Sequence, residues 1–356
     1  MKKRLNWGTL SEYRNVIYGL SCISIILFHY ATTVPEGTNL KSMLAYVFKG
    51  VVGSIGVEIF ILMSGICMYF SFKSNSSVMD FYRKRFIRLI IPFILIVFPF
   101  YFYKDIIMAN GDIKRVLYDL SYASFFTEGN ISVWYILCIA IMYLMYPGLY
   151  KTFEKYDKYR HAMLAILLGA AIAVNLIIYA ISPVVFVRIE IMTMRLPIYI
   201  IGVYLGKKVY EKAKFTKSEI GIFIVGIAIK LLIDYLRYLE TITIPYFLIR
   251  YVNLNSSLVI LGLTLILLAI FKVNKNSRIL VKCGALSLEL YLVHVTLMNI
   301  LQKYKYPIHR YSYFALYMLV TIILSVVVNV LTNVIVKGLG SIVNKINMLV
   351  KKNVIE

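Results

Sequence analysis

The stretch VIYGLSCISIILFHY, residues 16–30, decides the fold class. It holds no Lys, Arg, Asp or Glu, yet it carries an imidazole, His29, near its far end. Apolar runs of about 20 residues are what a bilayer core asks of a helix. An ionisable group at that depth is costly and marks function as a rule. On a helix, Tyr18 and His29 return to within about 20° of one another around the axis, so both look toward the same side. Arg14 lies one turn before Tyr18.

Working outward, the chain is 60% hydrophobic with a mean hydropathy of +0.78 and only 16% charged. Soluble domains carry about a quarter charged residues. Further apolar runs begin near Val51, Ile87, Ile131, Ala162, Val184, Ile220, Val252, Val281 and Tyr313. The expectation is an all-α polytopic membrane protein of about ten transmembrane helices, one domain over residues 1–356 with no appended soluble domain. Arg188, Glu190 and Arg195 interrupt the sixth run, and Lys230 and Asp234 the seventh.

The net charge of +22 would point to nucleic acid in a soluble protein. In a membrane protein the cations mark topology instead, so no nucleic-acid partner is expected. With an inside N-terminus, the Lys and Arg residues of segments 2–4, 83–88, 151–160, 207–217, 272–282 and 337–352 fall on one side. Both termini are therefore expected to be cytoplasmic. Cys22, Cys67, Cys138 and Cys283 are isolated, with no paired or metal-ligand spacing, and read as small core residues. The segment 104–130 is the long connection, suited to a partial cap over a cavity, and 337–356 suits an amphipathic tail at the interface. The sequence carries no signal for oligomeric state.

Five segments, in order, carry a resemblance: YGLSCISIILFH (18–29), GVEIFILMSG (56–65), FYRKRFIRLIIP (81–92), VWYILCIAIMYLMYP (133–147) and LSLELYLVH (286–294). A sixth, RLPIYIIGVYLGK (195–207), adds to them. Together they resemble acyltransferase family 3, integral membrane proteins that transfer acetyl or related acyl groups to sugars of surface and exported glycans. The resemblance implies a multi-pass protein of the cell membrane, acetyl-CoA as acyl donor, a glycan acceptor and no metal. It also exposes a departure. The family places an Arg eleven residues before the first-helix His, and that position here is Tyr18. Either Arg14 delivers the guanidinium from one turn earlier, or it is an interfacial anchor.

Roles follow residue by residue. His29 is the candidate general base, or transient acyl carrier. Glu58, where the family has an acidic residue, is the candidate to orient His29; the alternative is an ion pair with an intramembrane Arg such as Arg14 or Arg195. Arg85 and Arg88, one turn apart with Pro92 beyond them, form a stripe of planar forks suited to the phosphates of coenzyme A. With Arg14 they make the expected donor site. Tyr18, Trp134, Tyr291 and His294 are expected to shape the acceptor side, while Trp134 also suits an aromatic belt. The competing class is a multispanning transporter or flippase for a glycan or small solute. No inverted repeat and no paired Gly- or Pro-broken helices support it.

Overall fold

The computed structural model describes residues 6–49, 53–238 and 274–353, and every regular element among them is helical. In chain order these are α1 (Thr9–Glu12), α2 (Arg14–Thr33), α3 (Leu40–Val47), α4 (Gly53–Ser74), α5 (Val78–Tyr101), α6 (Ile113–Leu120), α7 (Ala123–Glu128), α8 (Trp134–Lys155), α9 (Arg160–Ile181), α10 (Pro183–Thr193), α11 (Leu196–Tyr210), α12 (Lys217–Tyr238), α13 (Arg278–Ala285), α14 (Ser287–Lys303) and α15 (Tyr311–Asn353). Starts are set by local chemistry. Asn39, Ser77 and Asp112 each accept a backbone N–H of the first turn of α3, α5 and α6, and Ser182 does so ahead of Pro183 in α10. Because Ser77 caps α5, that helix begins well before Ile87, and Arg83 to Arg88 lie on helix.

Six helical stretches are long and apolar enough to cross a membrane: Arg14–Thr33, Gly56–Ser74, Val78–Met108, Trp134–Lys155, Asp157–Ile181 and Tyr311–Gly340. The pair α13 and α14 qualifies as one broken span, bent by 72°. Among the described residues the count is thus six, or seven with the bent pair. The sixth run divides at Met194 and Arg195 into α10 and α11, each shorter than a bilayer span. The seventh forms α12 with residues 230 and 234 inside it, but does not pass the same test of length and apolarity. The eighth, near Val252, lies outside the described residues, as do residues 2–4 and 272. The expected tail is no separate helix, because α15 runs unbroken to Asn353.

The centre of the bundle is α11, whose residues are buried on nearly every side, as an apolar all-round helix must be. It packs on α4 backbone against backbone. A Cβ on Gly202 would stand 2.4 Å from the Leu62 carbonyl oxygen, and one on Gly65 would stand 2.8 Å from the Val203 nitrogen. A second close crossing joins α13 to α2, where a Cβ on Gly284 would come within 2.1 Å of the Asn15 carbonyl oxygen and one on Gly19 within 2.2 Å of that of Leu280. Small residues let membrane helices approach this closely.

The segment 104–130 is structured. A π-helical segment, Phe102–Met108, ends the third span soon after Pro99 removes a helical donor, and α6 and α7 follow. Arg115 forks onto Glu128 with both bonds at 2.7 Å, and Lys104 holds Asp119 at 2.7 Å. Arg188 of α10 donates to the Phe126 carbonyl at 3.1 Å, which ties this layer to the bundle. The Arg115 fork holds the Glu128 carboxyl below its ordinary range. Burial opposes ionisation of Asp119, but hydrogen bonds from Lys104 and Ser124 and the nearby cations prevail and hold it low as well.

Candidate active site

Two histidines meet inside the bundle. His29 of α2 and His294 of α14 have ring centroids 5.2 Å apart. His294 is fully buried, and its Nδ1 lies 2.8 Å from the Leu290 carbonyl oxygen, one turn back on its own helix. A carbonyl only accepts, so Nδ1 carries the hydrogen and Nε2 is left as a lone pair. That Nε2 is buried without a hydrogen-bond partner. The His294 carbonyl in turn accepts from Tyr317 at 2.9 Å, which fastens α15 over this point. The His29 ring is half-buried, edge-on to Phe28, with a face left for His294.

Next to the histidines lies a cavity of about 150 Å³ between α2, α4, α5, α8 and α14. Its polar lining comes from Tyr18, Ser64, Tyr135, Tyr143, Ser287 and Tyr291, and the rest is apolar. Aromatic contacts run from cavity to imidazole: Tyr135 to Tyr291 at 5.1 Å, Tyr291 to His294 at 5.8 Å, then His294 to His29. Tyr18 stacks on Phe60 at 5.1 Å, which fixes its ring in the wall. Tyr122 of the α6–α7 corner stacks on Phe93 and donates to the Val133 carbonyl, so the structured segment is tied to α5 and to the start of α8.

The opposite end is cationic. Arg85 is half-buried beside Phe81, and both Arg14 and Arg85 lie within electrostatic range of the Cys67 thiol, next to Tyr18. Arg14 is exposed and donates from Nε to the Asn15 side chain at 3.2 Å. Arg88 is exposed, and Arg83 is engaged by Asp80 at 3.1 Å. Along α2, Arg14 and His29 are separated by about 22 Å of helix rise.

Glu58 is not brought to His29. Its Oε1 takes the Arg195 guanidinium at 2.9 Å, with both residues buried, and Arg195 lies over the Trp134 ring at 4.8 Å while also donating to the Ile191 carbonyl. The structure therefore realises the ion-pair alternative for Glu58 and places Trp134 on that pair. Among the described residues no cluster of His, Cys, Asp or Glu is arranged to hold a metal ion. Sequence reasoning did not single out Ser64 or Tyr143, whereas Ser287 shares the helix stripe of Tyr291 and His294. Polar residues scattered on separate apolar helices become a lining only when those helices are packed.

With this geometry in hand, comparison with known proteins gives one result. A family model described as an acyltransferase domain matches residues 13–330. No curated protein and no solved structure matches the chain.

Proposed function

The chain belongs to that acyltransferase family and is a multi-pass membrane protein; from this premise we propose that it is an O-acetyltransferase of the cell membrane, moving an acetyl group from cytosolic acetyl-CoA to a hydroxyl of a cell-envelope or exported polysaccharide. The observation that carries the proposal is one helix, α2, with a guanidinium at its start and an imidazole near its end. The tyrosine-lined cavity lies between them. Coenzyme A has that form, with phosphates at one end of a long arm and the thioester at the other. Arg85 and Arg14 suit the phosphates as charge-assisted donors, and the apolar, hydroxyl-edged cavity suits the arm.

In the reaction, a ring nitrogen of His29 takes the proton of the acceptor hydroxyl as its oxygen attacks the thioester carbonyl carbon. The new C–O bond forms, the C–S bond breaks, and the proton passes from His29 to the departing thiolate of CoA. His294 is a positioning residue in this reading. Its Nδ1–H is already committed to Leu290, so its Nε2 only accepts, which favours a His29 or an acceptor hydroxyl oriented to donate toward it. Glu58 acts at one remove, by holding Arg195 and Trp134 so that α4, α8 and α11 keep their register around the cavity. A relay, in which His29 itself carries the acetyl group, uses the same residues and is distinguished by ping-pong kinetics.

The test is mass spectrometry of surface and exported glycans from cells with the gene, without it, and with a His29→Ala copy. The reading requires an acetyl increment of mass that disappears in both of the latter. An increment that survives removal of the gene refutes it.

A further inference from the structure

A second cavity, of about 360 Å³, opens where the start of α2 meets α13. Four cations line it, Arg14, Lys275, Arg278 and Lys282, against the single carboxylate of Glu12. All four are exposed, and among the described residues none stands in an ion pair. Inside-positive topology accounts for cations on this side of a membrane, but not for their convergence on one concavity. The convergence is built in. The Gly19 and Gly284 contacts hold α13 backbone to backbone along the start of α2, and the 72° bend between α13 and α14 gives α13 a direction different from that of α14. Like charges held together repel, and a multiply charged anion relieves that cost.

The position of this cavity specifies the anion. Arg14 lines this cavity and Tyr18, one helical turn further along α2, lines the first, so the two cavities follow one another along that helix. This cavity lies on the side away from His29. Coenzyme A carries its diphosphate next to the arm and its 3′-phosphate at the far side of the ribose. We infer that Lys275, Arg278 and Lys282 form the site for the 3′-phosphate of the acyl donor, beyond the guanidinium groups of Arg14 and Arg85 assigned to the diphosphate. The inference rests on acyl-CoA being the donor. The same phosphate chemistry is offered by an anionic lipid headgroup, and the experiment separates the two.

Binding of CoA and of 3′-dephospho-CoA is measured on the full chain in zwitterionic nanodiscs at fixed ionic strength, for the wild type and for the triple variant Lys275→Gln, Arg278→Gln, Lys282→Gln. These side chains are exposed, so the fold is expected to survive, and a melting curve checks it. The wild type is expected to prefer CoA by roughly tenfold or more. The triple variant is expected to lose that preference while keeping its affinity for the dephospho form and its turnover of acetyl-pantetheine. A preference retained in the triple variant overturns the assignment. So does a variant whose only change is weaker retention of anionic lipid, since the cavity would then serve the bilayer. A wild type that binds and uses CoA without preferring it to the dephospho form overturns this site alone. A wild type that neither binds nor uses acyl-CoA overturns the donor reading as well.

Discussion

Replacing Glu58 by Ala should destabilise the protein by about 3–5 kcal/mol, the usual cost of stripping one partner from a buried ion pair. The structure puts the case at the severe end. Arg195 is buried, Glu58 is its carboxylate partner among the described residues, and its remaining contacts are a ring face and a carbonyl of its own chain segment. The loss comes mainly from the charge left behind. The double variant Glu58→Gln, Arg195→Met should therefore recover much of it, because the uncompensated cation is gone and the volumes are kept. Thermal unfolding in detergent, followed by intrinsic fluorescence, compares Glu58→Ala, Arg195→Met and the double variant, with transfer activity expressed per folded molecule. A Glu58→Ala protein that melts with the wild type would refute the argument, as would a double variant no more stable than the worse single one. If instead the double variant is stable but inactive, Glu58 also acts in the chemistry, and its role as a structural pair alone is rejected.

Four further outcomes are expected. His29→Ala should keep wild-type melting behaviour and lower transfer by about 10²–10⁴-fold, the range for loss of a general base; activity within tenfold of wild type would remove His29 from the reaction. Arg85→Lys should retain more acetyl-CoA affinity than Arg85→Ala, and neither should change the use of acetyl-pantetheine, because the guanidinium is assigned to phosphate; equal loss toward both donors would make it structural. Arg14→Ala should cripple transfer, and adding Tyr18→Arg should restore part of it by returning a guanidinium to the His29 face; normal activity per inserted molecule in Arg14→Ala would make Arg14 an anchor. Acid should loosen the α6–α7 layer. Asp119 and Glu128 have lowered folded-state pKa values, so their stabilisation is complete above the unfolded values near 4 and is lost as pH falls through the folded ones. The anisotropy of a fluorophore on α7 should fall below about pH 4 in wild type and be already low at pH 7 in Glu128→Gln; a pH-independent signal would show that the carboxylates do not hold the layer.

What the sequence determined by itself is what needs only local physics. Charge-free apolar runs had no alternative to membrane helices, since a backbone in lipid must satisfy its own hydrogen bonds. The spacing of Tyr18 and His29 placed both on one side of their helix from helix geometry alone. Ordered motifs were enough to name the family, because they persist whatever the packing. What only the tertiary structure decided concerns pairs drawn from distant segments. Whether Glu58 would meet His29 or Arg195 depended on how α11 lies on α4, and Gly65 and Gly202 set that by permitting a close backbone approach. The division of the sixth run was hidden for the same reason. The run holding Arg188, Glu190 and Arg195 has enough apolar residues, yet it breaks at Arg195, whose charge is satisfied only by a carboxylate on another helix. The meeting of His29 with His294, and the convergence of Lys275, Arg278 and Lys282 on Arg14, likewise follow from how α14 and α13 pack against α2. Hydropathy is a property of one segment and periodicity of one helix, while a site belongs to the contacts between them.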